Sequence, residues 1–124
     1  MIIDNSQSVI EIGNQRFHCA MDVTMHFIGG KWKTVVLWYL RQDKKRFSEL
    51  KTLMPQITEK MLSIQLKQLE ADGLVKRTVY SLKPPLKVEY TLTDFGKSLI
   101  PMLNEIAGWG RSTGKKKGKI IKVV

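Results

Sequence analysis

Along the middle of the chain, apolar positions recur with two different periods, and the change from one to the other sets the order of elements. Leu62, Leu66 and Leu69 fall on one stripe at steps of four and three, the spacing of a single helix face. Lys60, Ser63, Ile64, Lys67 and Gln68 lie opposite that stripe. Thr58 stands where an N-cap is needed and Gly73 where a left-handed stop is needed. The pattern therefore predicts a helix over 58–72, roughly 20 Å long at ~1.5 Å per residue.

The flanks extend this pattern in both directions. Phe47, Leu50, Leu53 and Met54 have helical spacing, and Pro55 ends that short helix. Residues 31–42 are almost wholly apolar through Val35 to Leu40, which predicts a helix at the centre of a core. A short helix is predicted over 19–28, closed by Gly29-Gly30, and residues 1–18 read as an N-terminal arm without clear periodicity. After the leucine stripe, 74–80 and 87–92 alternate with period two around Ser81-Leu82-Lys83-Pro84-Pro85-Leu86, a hairpin whose prolines stiffen a basic tip. A last helix starts at Thr93 or Asp94, with Phe95, Leu99, Met102, Leu103, Ile106 and Trp109 on one face. Pro101 inside it predicts a kink.

The short helix and the long one are joined by Pro55-Gln56-Ile57, the three-residue link of a helix-turn-helix. The fold class expected is α+β and mainly helical: a winged helix-turn-helix with a two-stranded hairpin as the wing. Residues 19–110 form the domain, and 111–124 are a basic, flexible tail.

Composition narrows the class without naming a partner. The chain has 124 residues, 43% of them hydrophobic, enough for one modest core. No apolar run approaches the ~20 residues of a bilayer span, and the first residues lack the pattern of a secretory signal. With a single cysteine, Cys19, no intrachain disulfide can form, which suits the cytoplasm. The formal net charge is +10. Six of the basic residues lie in 111–124 (Arg111, Lys115, Lys116, Lys117, Lys119, Lys122), and the rest of the chain keeps 15 basic against 11 acidic residues. A basic surplus suits a polyanion, and equally RNA or an anionic membrane surface.

The helix-turn-helix order favours double-stranded DNA. A helix fits the major groove, and the leucine stripe would fasten its back to the core. Gln68 and Ser63 can read base edges, Ile64 can touch a thymine methyl, and Lys60 and Lys67 can meet phosphate or guanine. Lys83 and Lys87 on the hairpin tip are placed to reach the flanking backbone or minor groove. A solvated surface helix would carry the same residues, and a module binding protein or RNA is the alternative reading.

Several joined motifs resemble the HxlR-type family of bacterial winged-helix regulators, relatives of the MarR-like proteins. They are Cys19 before a short helix; Ile28-Gly29-Gly30-Lys31-Trp32; Arg46-Phe47-Ser48-Glu49-Leu50; Ile57-Thr58-x-Lys60-Met61-Leu62, continuing through Gln65-Leu66 and Leu69-Glu70-x-Asp72-Gly73-Leu74-Val75-x-Arg77; Pro84-Pro85 with Val88-Glu89-Tyr90-x-Leu92-Thr93-x-x-Gly96; and Trp109-Gly110. The resemblance implies a homodimer held by the N- and C-terminal helices and bound to a palindromic operator. It implies 58–72 as recognition helix, 79–90 as wing, and Thr58, Lys60, Met61, Ser63, Ile64, Lys67 and Arg77 as the DNA-facing positions. Two features depart from the family. Pro84-Pro85-Leu86-Lys87-Val88-Glu89-Tyr90 has one residue more than the family's Pro-Pro-basic-Val-Glu-Tyr, and the lysine-rich tail is not a hallmark.

Cys19 matches a position where some members of that family carry a redox-sensing thiol, so a thiol-reactive or small-molecule effector is a candidate partner. The competing reading is a small, inert buried residue. Cys19, Asp22 and His26 could assemble as metal ligands, but without a spacing signature. Gly29-Gly30-Lys31 fails as a phosphate loop, because Trp32 follows the lysine and Met25 stands where its first glycine belongs. His18 and Cys19 lack a third group to orient a base. Trp32, Trp38, Tyr39 and Trp109 could line a small-molecule pocket, or be plain core. No catalytic constellation, metal or cofactor is called for.

Overall fold

The leucine stripe lies at the centre of the fold. The computed structural model describes residues 9–121, in the order β1 (Ile10–Ile12), β2 (Gln15–Phe17), α1 (Ala20–Ile28), α2 (Lys33–Leu40), α3 (Phe47–Leu53), α4 (Glu59–Ala71), β3 (Val75–Ser81), β4 (Lys87–Leu92), α5 (Asp94–Lys97) and α6 (Ile100–Lys117). Leu62, Leu66 and Leu69 are buried from end to end of α4, in one cluster with Val36, Leu37 and Leu40 of α2, Leu50 of α3, and Val75 and Leu92 of the hairpin. Each leucine so buried is stabilised by ~1.5–3 kcal/mol relative to its exposed state.

Local chemistry starts and stops these helices. The Thr58 hydroxyl accepts from the Met61 N–H at 3.0 Å, capping α4. The Glu49 carboxylate accepts from the Arg46 N–H at 2.8 Å at the start of α3. At the other end of α4 the Gly73 N–H donates to the Glu70 carbonyl and the Leu74 N–H to the Leu69 carbonyl. That pair of bonds needs a positive φ at Gly73, here +79°, which a residue with a Cβ adopts at a cost of ~1–2 kcal/mol. The reversal delivers Leu74 into the core and starts β3 at once.

The hairpin is antiparallel, with Val75 opposite Leu92 and Arg77 opposite Tyr90. A bulge between Val79 and Ser81 leaves Tyr80 as the extra residue, and Ser81 pairs with Lys87. Lys45 and Tyr90 exchange backbone hydrogen bonds at 3.0 and 2.8 Å, tying the base of the hairpin to the chain ahead of α3. Packing against Gly96 is equally tight. A Cβ there would collide with the Leu74 carbonyl, so α5 seats directly on the junction of α4 and β3.

The structure departs from the sequence reading at four places. Residues 10–17, expected as an aperiodic arm, form the β1–β2 hairpin, with Ile10 opposite Phe17; residues 1–8 of the arm lie outside the described residues. Its three-residue strands are too short to register a period. The apolar segment 31–42 yields only the eight residues of α2, and its core side consists of Val36, Leu37 and Leu40. The kink expected at Pro101 does not occur. The proline lies in the first turn of α6, where its missing N–H breaks no intrahelical bond, and the interruption comes earlier, between α5 and α6. Finally, 111–117 continue α6 as helix, so the expected boundary after 110 is not an element boundary; Lys122 lies outside the described residues. Of the apolar face read over 93–109, Leu103 is buried, while Phe95 on α5 and Ile106 and Trp109 on α6 are exposed.

Candidate nucleic-acid interface

With its leucines turned inward, α4 presents Lys60, Met61, Ile64, Lys67 and Gln68 to the outside, all exposed, with Ser63 half-buried between them. Thr58 is also exposed, but its hydroxyl is engaged in capping the helix. Met61 accepts from the Gln65 side-chain amide through its sulfur at 3.3 Å, which orients both along the helix. Among the described residues the ion pairs are Arg16–Glu11 and Lys44–Glu89, so Lys60, Lys67 and Arg77 hold no carboxylate partner. Cations without partners on an exposed face are available to phosphates.

The fold brings part of the candidate set together and leaves part of it apart. Ser63 and Lys67 of α4 and Arg77 of β3 line one cleft of about 200 Å³ between helix and hairpin, with Leu66, Glu70 and Tyr90. Glu70 and Tyr90 are quoted above only within family motifs and are not among the DNA-facing residues read from the sequence. Only the register of β3 against β4 puts Tyr90 opposite Arg77, and no periodicity within one segment reveals that. Lys83 and Lys87 stand apart from this cleft, at the far end of the hairpin. The Lys87 ammonium lies 5.3 Å from the centre of the Tyr80 ring, a cation–π contact across the bulge.

Cys19 is half-buried and occupies the N-cap position of α1, making no side-chain cap bond. The Asp22 carboxylate, one turn on, accepts instead from the His18 N–H at 2.9 Å. His26 packs edge-on against Phe17 and Phe27, with ring centres 5.3 and 5.0 Å away. Two of the three side chains considered as metal ligands, Asp22 and His26, are thus engaged elsewhere. Among the described residues no group of three ligating side chains is placed to hold an ion.

The aromatic residues separate in the same way. Trp32 and Tyr39 line a pocket of about 250 Å³ with Val35, Leu53, Met54, Pro55 and Gln56. Trp38 instead stacks under the Arg41 guanidinium, 3.4 Å from the ring centre. Trp109 is 73% exposed on α6. The four aromatics do not form one site.

Comparison with known proteins agrees with this architecture. The HxlR-like helix-turn-helix family matches residues 27–118. The HTH-type transcriptional regulator YtcD of Bacillus subtilis (strain 168) is 50% identical over 96 residues, 77% of this chain and 75% of that protein. The solved structure of the redox regulator HypR in its reduced form is similar with a TM-score of 0.72 at 45% identity, over 75% of this chain and 91% of that one. The oxidised form of HypR gives 0.72 at 46% identity, over 76% and 96%.

Proposed function

The chain belongs to the HxlR-like helix-turn-helix family, as a transcriptional regulator and not an enzyme, and from that premise we propose that it binds a palindromic DNA operator as a homodimer. The observation that carries this reading is the division of α4. One side is locked into the core by three leucines, while the other holds Lys60, Ile64, Lys67 and Gln68 exposed, its lysines without carboxylate partners. A helix held from behind and polar in front fits the ~12 Å major groove. Ser63, Ile64 and Gln68 then face base edges. Lys60, Lys67 and Arg77 meet phosphates, which position the helix without reading sequence.

The unburied face of α6 supports the dimer. Ile106 and Trp109 on α6, with Met21 and Met25 on α1, are large apolar side chains that their own core does not cover. A two-fold pairing through these helices buries them and sets two recognition helices about one DNA turn, ~34 Å, apart. No helix among the described residues is long and apolar enough to cross a membrane.

Cys19 supports a redox response. It sits half-buried at the N-cap position of α1, its thiol making no side-chain cap bond. A peroxide would transfer one oxygen to the Cys19 thiol, giving a sulfenic acid and releasing water or alcohol. Condensation with a second Cys19 thiol would then form an intersubunit disulfide and release a second water. The similarity to HypR in both redox forms is consistent with such a response.

Selection of bound genomic fragments followed by footprinting tests the reading. It is supported by symmetric protection over two half-sites one turn apart. Unspecific protection, or tighter binding to RNA than to duplex DNA, overturns it, as does a monomer by gel filtration at micromolar concentration.

A further inference from the structure

Phosphate contacts from lysines leave part of the wing tip unused. The strands of the hairpin pair as far as Ser81 and Lys87, and Leu82-Lys83-Pro84-Pro85-Leu86 make the tip. Leu82 is 87% exposed and Leu86 60%. Single exposed leucines are ordinary on a protein surface. Here two of them bracket a pair of prolines whose rings fix φ near about −65°. The Ser81 hydroxyl braces the same tip, accepting from the Lys83 N–H at 3.3 Å and donating to the Lys83 carbonyl at 3.2 Å. Leu86 fills the position by which this wing exceeds the Pro-Pro-basic pattern it resembles, so the added residue places a second apolar side chain at the tip.

Charge and reach select what these leucines meet. From Tyr80 to Val88 the chain carries Lys83 and Lys87 and no carboxylate. The hairpin departs from the same surface as the exposed side of α4, since Arg77 shares a cleft with Ser63 and Lys67. Leu82 is five residues beyond Arg77, about 17 Å along a strand at ~3.3 Å per residue. On a duplex whose turn is ~34 Å, the next minor groove lies about half a turn, ~17 Å, from the major groove.

We infer that the wing tip drives Leu82 and Leu86 into the minor groove as an apolar wedge, with Lys83 and Lys87 on the flanking phosphates, and that operator binding kinks the duplex there. The inference rests on the operator-binding reading of α4. An apolar wedge makes no hydrogen bonds to bases, so it selects sequence through deformability. It partly unstacks one base step, which is least costly at a pyrimidine–purine step such as TA or CA.

The test uses a selected operator fragment labelled at both ends, with end-to-end distance read by energy transfer. The full-length chain is compared with L82S/L86S and with K83A/K87A. Wild type is expected to bend the fragment. L82S/L86S, whose changes are on exposed side chains and leave the thermal melt in place, is expected to lose most of the bend and bind about tenfold more weakly, with the salt dependence unchanged. K83A/K87A, which removes two lysines from each protomer of the dimer, is expected to lower the salt slope by about four and keep the preference for a flexible step. Replacing that step by a stiff A-tract should weaken wild type about tenfold and L82S/L86S little. A bend as large in L82S/L86S as in wild type overturns the wedge while operator binding stands. A wild-type chain that binds no fragment overturns the operator reading itself. If L82S/L86S behaves as wild type on DNA but changes in gel filtration, or in sedimentation with phosphatidylglycerol vesicles, the tip belongs to a protein or lipid contact and the wedge is wrong.

Discussion

The Thr93 hydroxyl donates to the Gly73 carbonyl at 2.6 Å and accepts from the Gly96 N–H at 3.0 Å. One side chain thus ties the stop signal of α4 to the start of α5, across the two strands of the wing. It fixes where the hairpin leaves the core, and so the angle between wing and recognition helix.

Replacing that hydroxyl by a methyl is expected to destabilise the fold. Thr93→Val strands the Gly96 N–H and the Gly73 carbonyl, at a cost of about 1–2 kcal/mol. The check is a lower urea midpoint with an unchanged slope; an unchanged midpoint would mean the tie is redundant.

Neighbouring positions on α4 should respond in opposite ways. Leu66→Ala empties a buried site and should cost ~2–5 kcal/mol of stability. Ile64→Ala removes an exposed side chain and should change stability by no more than ~0.5 kcal/mol while weakening operator binding. Chemical denaturation and titration of the operator fragment on both variants separate the two sides of the helix.

Phosphate and base contacts have different signatures. Lys67→Ala, which removes one phosphate contact from each protomer, should weaken binding to operator and random DNA alike and lower the salt slope of the dimer by about two. Gln68→Ala should reduce discrimination between the two by ~1–3 kcal/mol per half-site, the range of one base contact. Equal losses on both DNAs for Gln68→Ala would remove its base-reading role.

Cys19→Ser should bind the operator like wild type under reducing conditions and lose any response to peroxide. Non-reducing gels of peroxide-treated wild type should show a linked dimer that is missing in the variant. Linked dimer persisting in Cys19→Ser would exclude this thiol, the only cysteine in the chain.

Trp109→Ser removes a large apolar side chain that its own core does not cover. If the two-fold interface runs through α6, the dimer should dissociate about 30-fold more readily, the effect of a contact worth ~2 kcal/mol. Sedimentation equilibrium reads this directly, and an unchanged constant moves the interface elsewhere.

Sequence alone determined the elements whose cause is local. The stripe of Leu62, Leu66 and Leu69, the Thr58 cap and the Gly73 stop define α4 without any neighbour, because each depends on residues within a turn or two of itself. The period-two runs and paired prolines likewise define the hairpin, and β4 begins and ends where the pattern placed it, at Lys87 and Leu92. Tertiary structure decided everything that depends on chain segments far apart. The cleft joining Ser63, Lys67, Arg77 and Tyr90 needs the strand register, and the Lys45–Tyr90 bridge needs the docking of α3's leading edge on the hairpin. The apolar face of the last helix appears in sequence as one stripe, yet the fold buries Leu103 and leaves Ile106 and Trp109 outside. Periodicity shows that a face is apolar, whereas which part of it meets the core depends on how the helix lies against the rest of the fold.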